Sequence, residues 1–383
     1  MSGLYIHIPF CARRCPYCDF AVHIGADDAF RRGYVASLKS ELQSTLSAHA
    51  EQDGTAISTI FFGGGTPTAI GAQALNDLLL FIRDHVQVAR DAEISLEGNP
   101  EDGSCEEYEL LLSGGWNRLS LGVQSFDDAV LKTLGRCHSS AQVQGVISAA
   151  RSAGWHNISF DLIYAVPGQK LASWHQSLDR ALALEAQHLS CYSLTIEEGT
   201  AFAHRVERGR METVETDVQA EFMEMAQTTL AIAGFERYEI SNWARPGFEC
   251  RHNCNYWRGG DYLACGCGAH GHRAGHRWWN ERAAPRYIQL MQTAGSARIG
   301  EESLSAIERL EEHVMLGLRW REGFDLKALS QTLHIDARGA LNGRLDDLLK
   351  RGVLEMCDVQ NERIHLRKEQ WAVADAVARQ LLV

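Results

Sequence analysis

Short apolar runs alternate with longer amphipathic segments over the first 232 residues of the chain. The runs are rich in β-branched and aromatic residues and predict six strands, at 4–8, 57–62, 92–97, 118–122, 158–164 and 188–194. The segments that follow them predict six helices, at 30–48, 73–86, 106–112, 141–153, 174–184 and 218–232. Six strand–helix units in succession predict an α/β fold, a partial (βα)6 TIM-like barrel whose parallel sheet is covered by helices.

The pattern changes twice after this region. A short run at 238–240 predicts a further strand, and residues 241–302 are unusually rich in histidine and tryptophan. The apolar spacing then predicts helices at 304–318, 326–333, 341–351 and 370–382, with short strands at 353–356 and 364–366. Helices followed by a β-hairpin are typical of a winged-helix-like domain. We therefore expect three units, at 1–240, 241–302 and 303–383.

Glycine and polar residues stand at the ends of several predicted strands. In chain order they are Gly64, Gly65 and Thr66 after the second strand, Glu97 at the end of the third, Gln124 after the fourth and Asp161 in the fifth. In a barrel-like fold the carboxyl ends of the strands converge on one face, where active sites lie. The sequence therefore predicts one shared pocket at that face.

Three cysteines follow the first predicted strand with the spacing C-x3-C-x2-C. They are Cys11, Cys15 and Cys18. Thiolates are soft ligands that suit iron–sulfur clusters or zinc. Three ligands are one fewer than a closed zinc site or an all-cysteine [4Fe–4S] cluster needs, so one metal position would stay open for a small molecule. Three unconnected loop thiols are the simpler alternative, and the rarity of this spacing argues against it.

Charge and cysteine content restrict the class of protein. The 383-residue chain has a formal net charge of −12, which argues against a nucleic-acid scaffold or a polybasic membrane binder. Residues 301–383 contain 12 Lys and Arg against 15 Asp and Glu, so we expect no DNA binding there. Eleven cysteines, with no signal peptide or membrane-spanning run, predict a cytoplasmic protein with metal chemistry and without stable membrane insertion.

The cysteine motif resembles that of the radical S-adenosylmethionine (SAM) superfamily. The flanking sequences YIHIPFC and CPYCDF narrow the resemblance to the coproporphyrinogen oxidase-like branch. The resemblance implies that Cys11, Cys15 and Cys18 bind a [4Fe–4S] cluster whose open iron is chelated by SAM, which can then be cleaved reductively. It also implies that SAM is contacted by Tyr5, Tyr17, Gly64, Gly65, Thr66, Glu97, Gln124, Arg136, Asp161 and Thr195. Arg136 would pair with the SAM carboxylate.

A second motif lies in the aromatic segment. Residues 252–257, HNCNYW, resemble the H-N-x-x-Y-W motif of HemW-type proteins, which are heme chaperones within the same family. The resemblance implies that the protein binds heme and delivers it to acceptor hemoproteins. An imidazole can ligate heme iron and aromatic rings can cover the macrocycle, so His252, Tyr256 and Trp257 are the heme candidates. The alternative is a hydrogen-bonded core histidine among core aromatic residues.

The same segment contains four further thiols. Cys250, Cys254, Cys265 and Cys267 could hold zinc or an auxiliary iron–sulfur cluster, although their spacing fits no familiar motif. Free buried cysteines are common, so four unligated thiols are the simpler interpretation.

Two enzyme functions stand as alternatives to the heme chaperone. An oxygen-independent coproporphyrinogen III oxidase would carry another cysteine soon after the third ligand and an extension before the motif, whereas here Asp19 and Phe20 follow Cys18. A radical SAM methyltransferase or a heme-degrading relative would share the barrel and consume SAM in turnover. The sequence leaves open whether the protein is an enzyme, which residue ligates heme, which hemoprotein accepts it and whether the chain forms a homodimer.

Overall fold

The computed structural model of the protein describes residues 2–52, 54–358, 360 and 362–382. Up to residue 232 its elements are β1 Ser2–Ile8, β2 Phe10–Cys11, β3 His23–Ile24, α1 Asp28–Gln52, β4 Ile57–Gly64, α2 Ala72–His85, β5 Val88–Gly98, α3 Cys105–Gly114, β6 Arg118–Gln124, α4 Asp128–Thr133, α5 Ser140–Ser152, β7 Ile158–Tyr164, α6 Leu171–Ala183, β8 His188–Ser193, α7 Ala201–Glu207 and α8 Thr216–Ile232. The six predicted strand–helix pairs are all present, with ends that differ by a few residues.

The remaining elements begin with short strands and end with helices. They are β9 Glu236–Arg237, β10 Asn242–Ala244, α9 Arg251–Trp257, β11 Tyr262–Cys265, β12 His270–Arg273, β13 His276–Asn280, α10 Ala284–Ala294, β14 Arg298–Ser303, α11 Ala306–Gly317, β15 Phe324–Asp325, α12 Leu326–Leu333, α13 Ala337–Ala340, α14 Arg344–Lys350, β16 Leu354–Asp358, β17 Arg363–Leu366 and α15 Ala374–Leu382. The strand predicted at 238–240 is wrong, because β9 and β10 lie on either side of it and Glu239 makes only a single bridge, to Trp320.

The main sheet is built around six parallel neighbours in the order β1-β4-β5-β6-β7-β8. At one edge β11 pairs in parallel with β1, and the antiparallel strands β12, β13 and β14 continue the sheet. At the other edge β10 and β9 pair antiparallel to β8. The predicted fold class, a partial parallel barrel of six strand–helix units, is confirmed. Residues 241–302 supply five strands to this sheet, and the unit boundaries at 240 and 302 stay predictions.

Alternation along the parallel strands gives the sheet an apolar face and a polar face. The register pairs Leu96 with Leu119 and Leu119 with Ile158, and these buried side chains belong to the core beneath the helices. The opposite face carries polar residues in the same register, namely Thr59, Glu93, Ser95, Glu97, Arg118, Ser120, Ser159, Asp161, His188 and Ser190. Polar groups enclosed in this way need partners, so the inner face is where ligands and hydrogen-bond networks are expected.

The C-terminal region has its own core, formed by α11, α12, α14 and α15 around the three-stranded sheet β15-β17-β16. This arrangement is the winged-helix-like domain that the sequence predicts. It docks on β9 and β10, where the Arg237 guanidinium lies 4.9 Å from the ring centres of both Trp243 and Trp371. The amide of Arg321 also donates to the carbonyl of Tyr238 at 2.8 Å. Within the described ranges, no helix is long and apolar enough to cross a membrane.

Candidate cluster and cofactor site

A cavity of about 1030 Å³ opens at the carboxyl ends of the parallel strands. The cysteine loop after β1 forms one wall, and the ends of β4 to β8 form the others. The structure brings the three cysteines together there with nine of the ten expected SAM contacts: Tyr17, Gly64, Gly65, Thr66, Glu97, Gln124, Arg136, Asp161 and Thr195. The tenth, Tyr5, does not line the cavity. Its ring stacks on Phe61, and its hydroxyl lies 3.1 Å from Nδ1 of His7.

Cys11, Cys15 and Cys18 are half-buried free thiols on the same wall. Burial, where a thiolate is poorly solvated, raises the pKa of Cys11 to about 11, a value that includes smaller contributions from Cys18 and Cys15. Burial also raises the pKa of Cys18. A soft metal cation would remove this desolvation cost, because it would bind the thiolates directly. Among the described residues no three His, Cys, Asp or Glu side chains are arranged to hold a metal ion, and this includes the three thiols.

A chain of hydrogen bonds connects two of these thiols. The Sγ of Cys11 lies 3.6 Å from Oγ1 of Thr66, and Nδ2 of Asn99 donates to the same hydroxyl at 2.7 Å. Oδ1 of Asn99 accepts from Nη2 of Arg136, whose Nη1 donates to the Sγ of Cys15 at 3.5 Å. Sequence reasoning missed Asn99, although its position just after β5 is the signal that singled out Glu97 two residues earlier.

Arg136 lines this cavity and has one buried hydrogen-bond donor without a partner in the described part of the protein. Nη2 also donates to the carbonyl of Gly122 at 3.2 Å, but Nε is buried and has no partner among the described residues. Burial by itself lowers the pKa of Arg136, yet Tyr17 and Cys15 raise it above its ordinary value, so the side chain is cationic. A buried cation at the wall of the cavity fits an anionic ligand such as the carboxylate of SAM.

The glycine run after β4 allows the backbone to approach the cysteine loop closely. Gly64 has φ +112°, and a Cβ there would collide with the ring of His7. A Cβ on Gly65 would lie 2.6 Å from the carbonyl carbon of Pro9. The amide of Gly65 donates to the carbonyl of Ile8 at 2.8 Å. Glycine is therefore required at both positions for this wall of the cavity to form.

Two carboxyl groups lie on the inner face at the base of the cavity. Burial raises the pKa of Glu97 to about 7, and the nearby Asp161 raises it as well. Burial raises the pKa of Asp161 too, against hydrogen bonds from Ser190 and Ser120 that lower it. The amide of Gly64 donates to Oε2 of Glu97 at 3.1 Å. Glu97 keeps the capacity to accept hydrogen bonds from a ligand hydroxyl or ammonium.

The helix α9, which contains the HNCNYW motif, lies at the other end of the inner face. His252 is 1 % exposed. Its Nδ1 lies 2.8 Å from Oγ1 of Thr59 and its Nε2 lies 2.8 Å from the hydroxyl of Tyr256. Burial lowers the pKa of His252 to about 3, so the ring is neutral. Both of its nitrogens are engaged, and His252, Tyr256 and Trp257 do not line the large cavity. Their role in heme binding stays a prediction.

The four thiols of the aromatic segment divide into two pairs. The Sγ of Cys250 donates to Glu93 at 3.4 Å, at the start of α9, and Cys254 follows in that helix. Cys265 ends β11, and Cys267 accepts from the hydroxyl of Tyr34 at 3.6 Å. No group of three or more metal-ligating side chains exists in the part of the chain that the structure describes, so the geometry gives no support to a second metal site.

The chain is similar to several known proteins. The radical SAM superfamily model matches residues 5–181, and the HemN C-terminal domain model matches residues 304–369. The coproporphyrinogen III oxidase HemN from Escherichia coli, described as a radical SAM enzyme, superposes with a TM-score of 0.83 at 22% identity, over 99% of this chain and 89% of that chain. At that identity the likeness shows the fold alone.

Three relatives with higher sequence identity identify the family. The heme chaperone HemW of Mycobacterium tuberculosis is 37% identical over 99% of this chain and 94% of its own length. The heme chaperone HemW of Bacillus subtilis is 35% identical over 92% of this chain and 93% of its own length. That of Escherichia coli is 39% identical over 70% of this chain and 69% of its own length. Similarity of this degree and extent shows that the chain belongs to the HemW family of the radical SAM superfamily.

Proposed function

We propose that the protein is a heme chaperone that binds heme, carries a SAM-coordinated [4Fe–4S] cluster and transfers the heme to acceptor hemoproteins. The observation that carries this proposal is the 37% identity, over 99% of the chain, to a protein named heme chaperone HemW. The cavity supports the cluster and SAM parts of the proposal, because it combines three thiols with a buried, cationic arginine. The cytoplasm, where thiols stay reduced, is the location that suits this chemistry.

Each part of the cavity has a role in this proposal. Cys11, Cys15 and Cys18 would hold the cluster, which when bound supplies an electron for the reductive cleavage of SAM. Arg136 would bind the SAM carboxylate, and the Gly64 backbone would approach its amino-acid end closely. Glu97 would accept hydrogen bonds at the cavity base. Walls from the cysteine loop and five strand ends would exclude water and fix the orientation of the ligand.

Coproporphyrinogen III oxidase is the second candidate, favoured by the fold it shares with HemN. The residues after Cys18 argue against it. Asp19 and Phe20 stand where such oxidases carry a further cysteine, and the Arg282 guanidinium binds both the backbone carbonyl and the carboxylate of Asp19. The loop therefore offers no additional thiol directly after the third candidate ligand.

Anaerobic reconstitution separates the two functions. The full chain is loaded with iron, sulfide and SAM, titrated with heme and then mixed with an apo-hemoprotein. We expect a Soret band that saturates at one heme per chain and moves to the acceptor. Absence of stoichiometric binding would contradict the chaperone function. Formation of vinyl-bearing product from coproporphyrinogen and SAM would establish the oxidase instead.

A further inference from the structure

We propose that His138 is a positioning residue of the large cavity, which holds the backbone at Gln124 in the conformation that SAM binding requires. This inference rests on the proposed SAM-binding function and identifies what fixes one wall of that site. His138 lies in the segment between α4 and α5, two residues after Arg136. Its side chain is fully buried and does not line the cavity. Any effect of His138 on a ligand must therefore pass through the residues that it holds.

Both ring nitrogens of His138 face hydrogen-bond acceptors. Nε2 lies 3.0 Å from the carbonyl oxygen of Val123, and Nδ1 lies 2.9 Å from Oε2 of Glu101. A carbonyl oxygen can only accept, so Nε2 donates. Burial by itself raises the pKa of Glu101, but the hydrogen bond with His138 and the charge of Arg136 lower it below its ordinary value. The Glu101 carboxylate is therefore an acceptor as well, and the ring is fixed as a donor at both nitrogens.

The Val123 carbonyl belongs to a strained turn at the end of β6. The amide of Ser125 donates to this carbonyl at 2.8 Å, and the residue between them, Gln124, has φ +63°. A three-residue turn closed in this way around a residue with positive φ is the rare, strained form of the γ-turn. Such strain persists only where the surrounding structure holds the backbone, and it is concentrated at ligand sites. The hydrogen bond from Nε2 of His138 to the same carbonyl supplies this restraint.

Gln124 is the residue that this turn presents to the cavity. A Cβ on Gly122 would lie 3.0 Å from Nε2 of Gln124 and 3.7 Å from Nη2 of Arg136, so the amide and the guanidinium lie close together at the end of the strand. The side-chain amide of Gln124 can therefore donate to a ligand that Arg136 also binds. Relaxation of the turn to a negative φ would move the Gln124 side chain away from this position.

Arg136 and His138 hold neighbouring carbonyl groups of the same strand. Nη2 of Arg136 donates to the carbonyl of Gly122 at 3.2 Å, as Nε2 of His138 does to that of Val123. The bond between Nδ1 of His138 and Glu101 fastens the same segment to the loop after β5, which also lines the cavity. His138 thus connects three parts of the cavity wall: the loop after β5, the end of β6 and the segment that carries Arg136.

Titration of the reconstituted full chain with SAM tests this inference. We expect His138→Ala to weaken SAM binding about tenfold or more. Its iron content should stay full, because the candidate cluster ligands are not hydrogen-bond partners of His138. The electron-paramagnetic-resonance spectrum of the reduced cluster with SAM should also change. His188→Ala is the matched control: His188 is 1% exposed and has both ring nitrogens engaged, by Ser159 and Tyr238, away from the cavity. It should lower the thermal midpoint without lowering the affinity for SAM.

Two conservative variants separate the two hydrogen bonds of His138. Glutamine can place its amide nitrogen where Nε2 of the histidine lies, so His138→Gln keeps the donor to Val123 and loses the donor to Glu101. Asparagine can place its amide nitrogen near Nδ1, so His138→Asn keeps only the donor to Glu101. We expect the SAM affinity of His138→Gln to lie within about threefold of the wild type and that of His138→Asn to resemble His138→Ala. Equal losses in the glutamine and asparagine variants would overturn the inference.

Hydrogen exchange in the chain without cluster or SAM tests the turn itself. The amide of Ser125 should exchange faster in His138→Ala and His138→Asn than in the wild type, because the turn that protects it loses its restraint. In His138→Gln its exchange should stay close to that of the wild type. His188→Ala should leave the Ser125 amide as protected, relative to the rest of the barrel, as it is in the wild type. Unchanged exchange at Ser125 in His138→Ala would contradict the inference.

The outcomes distinguish this inference from the proposed function. If the reconstituted wild type binds no SAM, the proposed function and this inference fail together. If the wild type binds SAM and His138→Ala binds it equally well, only the inference is overturned and the proposed function stands. If His138→Ala and His188→Ala weaken SAM binding to the same extent, the effect is a general loss of stability, and the positioning role of His138 is overturned.

Discussion

Glu93 and Glu97 lie on the same strand, on the same face, four residues apart, yet they have opposite surroundings. Glu93 is 6% exposed and accepts from the amide of Arg251 at 2.8 Å, the amide of His252 at 3.1 Å and the thiol of Cys250 at 3.4 Å. Glu97 accepts from the amide of Gly64 at 3.1 Å and otherwise faces the large cavity. The protein itself satisfies one carboxylate and leaves the other for a ligand.

Two buried arginines differ in position and not in their hydrogen bonding. Arg118 is 2% exposed; burial lowers its pKa, but Cys250, Glu93 and other acidic neighbours raise it above its ordinary value. Arg118 at the closed end and Arg136 at the open end both keep a buried Nε without a partner among the described residues, but only Arg136 of the two lines the large cavity. The barrel thus has a closed end, where α9 and its HNCNYW motif cover a charged network, and an open end, where similar residues face a cavity.

The largest expected effect is a loss of folding stability when the hydrogen bonds at the closed end are removed. Glu93→Ala removes the acceptor for the first amides of α9 and one of the acidic neighbours of the buried Arg118, of which Asp161 remains. Loss of one partner of a buried charge costs up to about 3–5 kcal/mol. We expect the urea midpoint of the barrel to fall accordingly, with α9 protected less from hydrogen exchange.

Glu97→Gln is the matched control, since it changes the same residue type on the same strand at the open end. It should change the unfolding free energy near neutral pH much less and should weaken SAM binding instead. If Glu93→Ala and Glu97→Gln lower the unfolding free energy to the same extent, the closed and open ends of the barrel do not differ in how they satisfy their carboxyl groups.

The second largest effect is expected on the affinity for SAM. Arg136→Gln should weaken SAM binding to the reconstituted protein by about 2–5 kcal/mol, roughly 30-fold or more, because a buried charge-assisted bond is lost. Titration calorimetry measures the change. Arg151 is a useful control, because its Nε is also buried without a partner among the described residues, but it lies outside the cavity and binds backbone carbonyls. Unchanged SAM affinity in Arg136→Gln, or an equal loss in Arg151→Gln, would contradict the assignment.

The fold could be predicted where local pattern determines it. The six parallel strands have apolar residues under the helices and polar residues on the inner face, so each strand and its following helix are visible in the sequence. The strands that extend the sheet at its two edges could not be predicted from the sequence. The strand β11 pairs with β1 although more than 250 residues separate them, and such non-local pairing leaves no periodic signal in a four-residue strand.

The site could be predicted in part for the same reason. Residues at the carboxyl ends of parallel strands must converge, so Glu97 and Asp161 were placed correctly in one cavity with the cysteines. Asn99 was missed, because an asparagine before a proline is usually a turn residue. The position of His252 at the closed end depends on how α9 packs into the barrel, which the motif does not encode.

The third effect is a pH dependence at the open end. The folded-state pKa of Glu97 is raised from 4.5 to about 7, so the folded protein retains a proton that the unfolded chain releases. This contribution to stability is fully present below pH 4.5 and is lost as the pH rises through 7. Glu97→Gln has no such proton, so its stability relative to the wild type should increase by about 1–2 kcal/mol between pH 4.5 and 8. Urea unfolding of both proteins without ligand measures this; parallel pH profiles would contradict it.

The smallest effect should come from Asn99, which joins the Cys11 side of the cavity to the Cys15 side through Thr66 and Arg136. Asn99→Ala removes two hydrogen bonds but no proposed ligand of the cluster, so iron content should stay full while SAM affinity falls about fivefold, or about 1 kcal/mol. The midpoint potential of the cluster should also shift, since the donors to two of its candidate ligands lose their orientation. Thr68→Ala is the matched control, because Thr68 lines the same cavity and donates to Asp102 at 3.2 Å instead. Equal potentials in the two variants would mean that Asn99 serves the wall of the cavity and not the cluster.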